Sequence, residues 1–328
     1  MKGAVFLNPT GCILIVNPTS GREKALRYIP LMESALKKRY LSVTLKMTEK
    51  AGDATAFASA ASRLGQDIFC MGGDGTINET INGMVSAGST ATFGFVPLGT
   101  VNDLARALHI PLSPKAAIRM LPDAVRTTID IGRVNDRFFV NIAAAGRIPE
   151  AVGQVSIREK TLWGPLAYFI KGFQSLRDQS PHHFHVLMED GRTFDFTSPL
   201  MAAMLTDSAG SFRNLLPSCE YRKHQIRLVF LKKLDWLDLL SQAPVLIKGA
   251  PVSSDLIHVL EIQKAKVSLS EGEHLMTNVD GDMGPEFPLD MELLPCRLSI
   301  FVPREKHRAE GPLHFPEFLR HLTDHIMP

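Results

Sequence analysis

Along the first third of the chain, apolar residues come in short unbroken runs, each followed by a turn and then by a stretch at helical spacing. Residues 12–17, Cys-Ile-Leu-Ile-Val-Asn, form one such run, and a strand this uniformly apolar has both faces covered. Pro18-Thr19-Ser20-Gly21 turns the chain, and residues 22–39 then set Ala25, Ile29, Met32 and Leu36 along one side of a helix. The same pattern predicts strands over 41–47, 67–71 and 91–97, and helices over 53–64, 75–87 and 102–108. Strands and helices in alternation imply a parallel, doubly wound α/β sheet.

After about residue 125 the rhythm changes. Strands are predicted over 127–133, 137–142, 183–189, 192–198, 200–206, 225–231, 257–267, 274–279, 289–294 and 297–303. Most are β-branched or alternating, with turns such as Glu189-Asp190-Gly191 between them. Helices are predicted over 162–176 and 236–247. So many strands in succession predict an antiparallel β-sandwich or barrel.

At 328 residues the chain has room for about two domains, and 45% hydrophobic against 21% charged residues is a globular balance. Lys and Arg total 36 against 34 Asp and Glu, a net charge of +2, which lacks the strongly basic face that a nucleic-acid partner needs. Local basic patches remain available to an anionic membrane surface. Cys12, Cys70, Cys219 and Cys296 show no CxxC and no metal-ligand spacing, so they read as buried or half-buried thiols in a reducing compartment. Asn8-Pro9-Thr10-Gly11 breaks the N-terminal apolar stretch, which is therefore no signal peptide. No run approaches the roughly 18 apolar residues of a membrane span. A cytoplasmic protein is expected.

The chemistry concentrates in Cys70-Met71-Gly72-Gly73-Asp74-Gly75-Thr76-Ile77-Asn78-Glu79, where three glycines and an aspartate follow a predicted strand and open a helix. Glycine there costs conformational entropy, which a bound group would offset. The free N–H groups of a helix start accept phosphate, and ligands of open α/β folds bind at this edge of the sheet. The stretch is neither GxGxxG nor a Walker A motif. A plain strand-to-helix turn is the competing reading. Three more blocks end predicted strands: Asn17-Pro18-Thr19-Ser20-Gly21, Thr48-Glu49-Lys50-Ala51-Gly52-Asp53-Ala54, and Gly99-Thr100-Val101-Asn102-Asp103.

In this order and with these gaps, the blocks NPxSG, TxxxxDA, GGDGTxNE and GTxND closely resemble the bacterial soluble lipid kinases, whose nucleotide domain is the diacylglycerol kinase catalytic domain. Asp130-Ile131-Gly132, Gly164-Pro165-Leu166-Ala167-Tyr168 and Val279-Asp280-Gly281 extend the match over about residues 11–303. The resemblance implies a nucleotide-binding α/β domain over 1–132, a β-sandwich lipid-substrate domain over 133–303 and a polar tail over 304–328. It implies that ATP is held by Asn17, Pro18, Thr19, Ser20 and Gly21, by Thr48, by Gly72, Gly73, Asp74, Gly75, Thr76, Ile77 and Asn78, and by Thr100. Asp74 is the implied Mg²⁺ ligand, since a carboxylate facing a triphosphate needs a cation between them. Asp103 and Asp130 are read as support for turns and nearby lysines, with direct catalysis the alternative.

The implied catalytic base is the acid ending a DGE motif, which is Asp282 in the Asp280-Gly281-Asp282 of this chain. A hairpin-turn residue is the alternative. A second departure lies in the turn at 220–225, where the family carries a Mg²⁺-binding Asp-Gly. Lys223 and His224 stand there instead, so no ordered metal is expected in that turn. Leu162, Leu166, Phe169, Ile170, Phe173 and Leu176 share a helical face, suited either to core packing or to a membrane surface or acyl-chain cleft. His182, His183 and His185, like the tail histidines, read as solvent-facing. The implied partner is a lipid, most simply diacylglycerol, met by transient peripheral contact at the membrane; homodimer formation is compatible with the sequence. An NAD kinase-like enzyme shares the GGDGT turn, and a weakly active nucleotide or lipid sensor would fit the Glu-to-Asp change.

Overall fold

β1 (Gly11–Val16) is buried at every position, as are β3 (Asp67–Gly72) and β4 (Thr92–Pro97), while β2 (Ser42–Met47) is the half-exposed edge. In the computed structural model the described residues are 11–21, 25–146, 181–206, 224–232 and 256–304. The predicted helices over 162–176 and 236–247, most of the 220–225 turn, Cys219 and nearly all of the tail lie outside them. The parallel order is β2-β1-β3-β4. Helices α1 (Ala25–Leu36), α2 (Asp53–Arg63), α3 (Asp74–Ser86), α4 (Asp103–Ala107) and α5 (Pro114–Met120) alternate with these strands or follow them. The step from β1 to β2 runs opposite to the steps toward β3 and β4. Right-handed crossovers therefore put α1 on one face and α2 and α3 on the other. The contacts agree, because α2 packs on α3 and α1 on α5. The reversal between β1 and β3 opens a crevice at their carboxyl ends. Helix α5 was not predicted: at two turns it is too short for its period to stand out, although Ser113 before Pro114 is a start signal.

The second half supplies β5 (Val125–Val134), β6 (Arg137–Phe139), β7 (Ile142–Ala145), β8 (His182–Met188), β9 (Thr193–Ser198), β10 (Met201–Met204), β11 (Ile226–Leu231) and β12 (Ile257–Ile262). It continues with β13 (Lys264–Leu269), β14 (Met276–Val279), β15 (Asp282–Glu286) and β16 (Leu289–Val302). One six-stranded antiparallel sheet has the order β12-β11-β10-β7-β14-β15. It faces β13-β8-β9 with the adjoining parts of β5, β6 and β16, and Phe184, Phe230, Val267, Ala203 and Leu289 fill the space between. Of the two predicted architectures, this is the sandwich.

Three predicted strands are redrawn. The single strand over 257–267 is two, in different sheets, because Ile262 is buried on one side of Gln263 and Ala265 and Val267 on the other. Those buried positions differ in parity, and one flat strand cannot turn both sets to the same core. Conversely, the strands over 289–294 and 297–303 are one, joined by a bulge between Leu294 and Leu298. β16 thus pairs with β13 at its start and in parallel with β4 at Ser299–Ile300, lying in both halves of the molecule. The strand over 137–142 breaks into β6 and β7 around Val140 and Asn141.

Asp280 causes that break. Its carboxylate accepts the N–H groups of Val140 (2.7 Å), Asn141 (3.0 Å) and Ile142 (2.9 Å), with Asn78 Nδ2 of α3 at 3.4 Å. Asp280 and Gly281 form the two-residue turn of the β14–β15 hairpin, both at positive φ (49° and 99°), which is why an Asp-Gly pair stands there. The residue is partly exposed, but its carboxyl group is enclosed. Burial pushes this carboxyl up to about 7, against the pull of three amide donors, and the charge of Asp103 adds to the rise.

The folded chain therefore keeps a proton that the unfolded chain releases near 3.8, so this group's contribution to stability is full below about pH 4 and lost as pH climbs toward 7. Denaturant unfolding between pH 4.5 and 8 should show that decline in the parent and not in Asp280→Asn. The variant should also lose about 1–3 kcal/mol at the acid end, where its amide –NH₂ meets a backbone N–H. Identical pH profiles would show that Asp280 does not carry the effect.

Candidate active site

The crevice between β1 and β3 is built by turns that pack back to back. Asn17 N–H donates to Met71 O (3.0 Å), Leu98 N–H to Gly72 O (2.8 Å) and Thr48 N–H to Val16 O (3.0 Å), so the ends of four strands are tied together. Glycine serves two different ends here. A Cβ on Gly72 would lie 2.6 Å from Thr76 Cβ, and one on Gly99 would lie 2.8 Å from Asn102 Oδ1 and 3.0 Å from Asp74 Oδ2. Those two are glycines because protein fills the space. Gly75, exposed in the first turn of α3, has nothing within 4 Å of its Cβ position. A glycine in an exposed helical turn costs about 1 kcal/mol relative to alanine, and no contact within the chain compensates for it.

Side chains hold the same turns. Asn102 has left-handed backbone (φ 55°); its side chain brackets Gly99 by accepting the Gly99 N–H and donating to Gly99 O, both at 2.9 Å. Its own N–H donates to Asp74 Oδ2 at 3.0 Å. Asn17 Nδ2 donates to Thr76 Oγ1 at 3.0 Å, and Asn17 Oδ1 accepts both the N–H (3.1 Å) and the hydroxyl (2.9 Å) of Thr19. Asp53, four residues past Glu49, accepts the N–H groups of Glu49 and Lys50, which hold its carboxyl below the usual range.

The structure thus brings Asn17, Pro18, Thr19, Ser20, Gly21, Thr48, Gly72, Gly73, Asp74, Gly75, Thr76 and Thr100 to one edge of the sheet, with Thr19, Gly75 and Thr100 exposed. Ile77 instead packs in the core at 2% exposure, its N–H bonded to Gly73 O. Asn78 is buried and turned toward Asp280 and Asn82. Asn82 in turn brackets Phe138 of β6, donating to its O and accepting its N–H, both at 3.1 Å. Asn82 and Asn102 were not singled out from the sequence. Asn102 lies inside the GTxND block, and that membership was the available signal.

Asp74 tests the fit of a metal. Its Oδ2 has Asn102, but its Oδ1 is buried with no hydrogen-bond partner in the protein. An unsatisfied buried carboxylate oxygen costs about 1–3 kcal/mol or more, and a cation removes that cost. Hard oxygen donors of this kind suit Mg²⁺, so Asp74 fits the ion. Asp282, exposed, begins β15 opposite Val279, two residues from the Asp280 that binds the hairpin to α3.

Asp130 lies elsewhere. It is buried and accepts the N–H of Cys296, with His224 Nδ1 3.0 Å from both of its oxygens; its described partners include no lysine. Cys12 and Cys70 are buried as expected, whereas Cys296 is exposed. Of the histidines on β8, His183 and His185 are exposed, but His182 pairs with Glu273 and His185 with Asp195, acids delivered by neighbouring segments.

Comparison with known proteins adds the family. The diacylglycerol kinase catalytic domain family matches residues 11–134, and the YegS C-terminal NAD kinase beta sandwich-like domain family matches residues 144–302. The chain is 33% identical over 296 residues to the diacylglycerol kinase of Bacillus subtilis, covering 89% of this chain and 96% of that one. It is 32% identical over 299 residues to the diacylglycerol kinase of Staphylococcus saprophyticus, covering 90% and 97%. The fold resembles that of a putative diacylglycerol kinase from Bacillus anthracis, with TM-score 0.74 at 18% identity over 90% of this chain and 98% of that one. Two family matches spanning most of the sequence, in the order in which the α/β and sandwich halves occur, make this chain a member of the diacylglycerol kinase family.

Proposed function

We propose that this chain is an ATP- and Mg²⁺-dependent kinase that transfers the γ-phosphoryl group to a lipid hydroxyl, with diacylglycerol giving phosphatidic acid. The observation that carries the reading is Asp74, a half-buried carboxylate whose enclosed Oδ1 is unpartnered, at the start of a helix whose first turn keeps an exposed glycine. An acid at a helix start opposes a phosphate unless a dication comes with it. Mg²⁺, when bound, neutralises charge on the phosphate oxygens. The N–H groups at the start of α3 and the turn at Gly99–Asn102 orient the nucleotide. Asp282 accepts the hydroxyl proton as the lipid oxygen bonds to the γ-phosphorus and the bond to the departing ADP breaks. The lipid names of the relatives support the choice of acceptor, which the cytoplasmic protein meets by transient contact at the membrane surface. Turnover of labelled ATP against a lipid panel that includes NAD tests it. Label moving to NAD alone, or to nothing, overturns it.

Gly75→Ala is the cleanest probe of the nucleotide site, because the methyl enters open space and favours the helix. Stability should be unchanged or slightly higher, while ATP binding by calorimetry weakens at least tenfold, about 1.4 kcal/mol. Gly73→Ala is less informative, since its methyl would meet Gly99 Cα at 3.4 Å. Asp74→Asn should lose most Mg²⁺-dependent turnover and also gain thermal stability in the absence of nucleotide, because it removes the charge from a carboxylate whose Oδ1 is buried without a partner; a variant no more stable than the parent would contradict the reading of Oδ1.

Asp282→Asn should lower turnover by about 10²–10⁴-fold and leave ATP affinity intact. Asp282→Glu, one methylene longer, should match or exceed the parent. Equal lipid phosphorylation by the Asn variant would reduce Asp282 to a turn residue.

A further inference from the structure

Asp130 on β5, Cys296 in the bulge of β16 and His224 at the entry to β11 are far apart in sequence, yet one ligand atom from each lies within 4.8 Å of the others. The three differ in exposure: Asp130 is buried at 3%, His224 is intermediate and Cys296 is exposed. His224 and Cys296 both hold left-handed backbone (φ 49° each), which non-glycine residues adopt at a cost of about 1–3 kcal/mol. The bulge turns Cys296 N–H onto Asp130 Oδ1 at 2.8 Å, and the histidine ring stands 3.0 Å from both oxygens of the same carboxylate. Two strained residues thus converge on one buried acid.

We propose that Asp130, His224 and Cys296 form a binding site for a borderline-soft divalent cation of the zinc type. With bonds of about 2.0–2.3 Å, tetrahedral ligands lie roughly 3.3–3.8 Å apart, so rotations of about 1 Å in the exposed side chains complete the site. The exposed side leaves a fourth position for water. One carboxylate, one imidazole and one thiolate select Zn²⁺ or Co²⁺ over Mg²⁺, which requires near-octahedral oxygen ligands. Binding is balanced by loss of the Cys296 thiol proton and of the His224 proton that faces Asp130, if the ring binds through that nitrogen. The site ties β5 and β16 of one sheet to β11 of the other. It sets a metal against His224 of the 220–225 turn, where the sequence alone led to the expectation of none, and it stands apart from the kinase reading, since none of its ligands belongs to the nucleotide crevice.

The test uses the full-length protein, reduced, freed of metal with a chelator and titrated with Co²⁺. One equivalent should bind with thiolate-to-cobalt charge-transfer absorption and the strong visible bands of tetrahedral cobalt, be displaced by Zn²⁺, and survive millimolar Mg²⁺. Cys296→Ser should abolish the charge-transfer band, and His224→Gly, which also relieves the left-handed backbone, should weaken binding at least tenfold. Without any variant, Zn²⁺ should protect Cys296 from alkylation about tenfold by mass spectrometry, while ATP should not. No charge-transfer band, a band that survives Cys296→Ser and vanishes in Cys219→Ser, or equal alkylation with and without Zn²⁺ would overturn the site.

Discussion

An enclosed carboxylate joins the two halves of this protein beside β16, the strand they share. Asp280 turns the β14–β15 hairpin, gathers three consecutive N–H groups from the β6–β7 crossing, and reaches Asn78 on α3. Asp282 sits two residues beyond Asp280, and the first turn of α3 lies one helical turn from Asn78. Desolvation disfavours the charge and the three amides favour it, and the balance brings the group up to about 7. Asn82 reinforces the same seam through Phe138. Together the two contacts set the distance between the acid of one half and the glycine turn of the other.

Within the crevice, close packing explains more of the motif than any ligand does. Gly72 and Gly99 are glycine because Thr76, Asn102 and Asp74 already occupy the space, and Ile77 is simply core. What packing leaves unexplained is small and specific: the open flank of Gly75 and the unpartnered Oδ1 of Asp74. These two features ask for something from outside the chain. The rest of the glycine-rich stretch would look the same in a protein that bound nothing.

The α/β half was legible because its strands are buried on both faces and its turns carry their chemistry in contiguous blocks. The sandwich was legible in class but not in detail. Nothing local at Gln263 announces that the buried parity changes, and nothing in Leu294 to Leu298 shows that a bulge lets one strand continue. Partners supplied from afar were equally hidden. His183 and His185 are exposed as read, but the acids that pair with His182 and His185, Glu273 and Asp195, come from other segments. Cysteine spacing is equally silent on contacts made across the fold: Cys296 meets Asp130, 166 residues away, and His224 between them in sequence. Short-range patterns identify elements; they do not report which elements touch.

β16 has a consequence for how the molecule is made. The open edge of β4 finds its partner only at Ser299 and Ile300, near the end of the described chain. At a synthesis rate of about 5–20 residues per second, the stretch between Pro97 and Ser299 takes on the order of tens of seconds to emerge. During that time a strand destined for full burial, Thr-Phe-Gly-Phe-Val-Pro, presents an unpaired edge at the ribosome. The α/β half, first in sequence, is therefore finished last, once its closing strand has been translated.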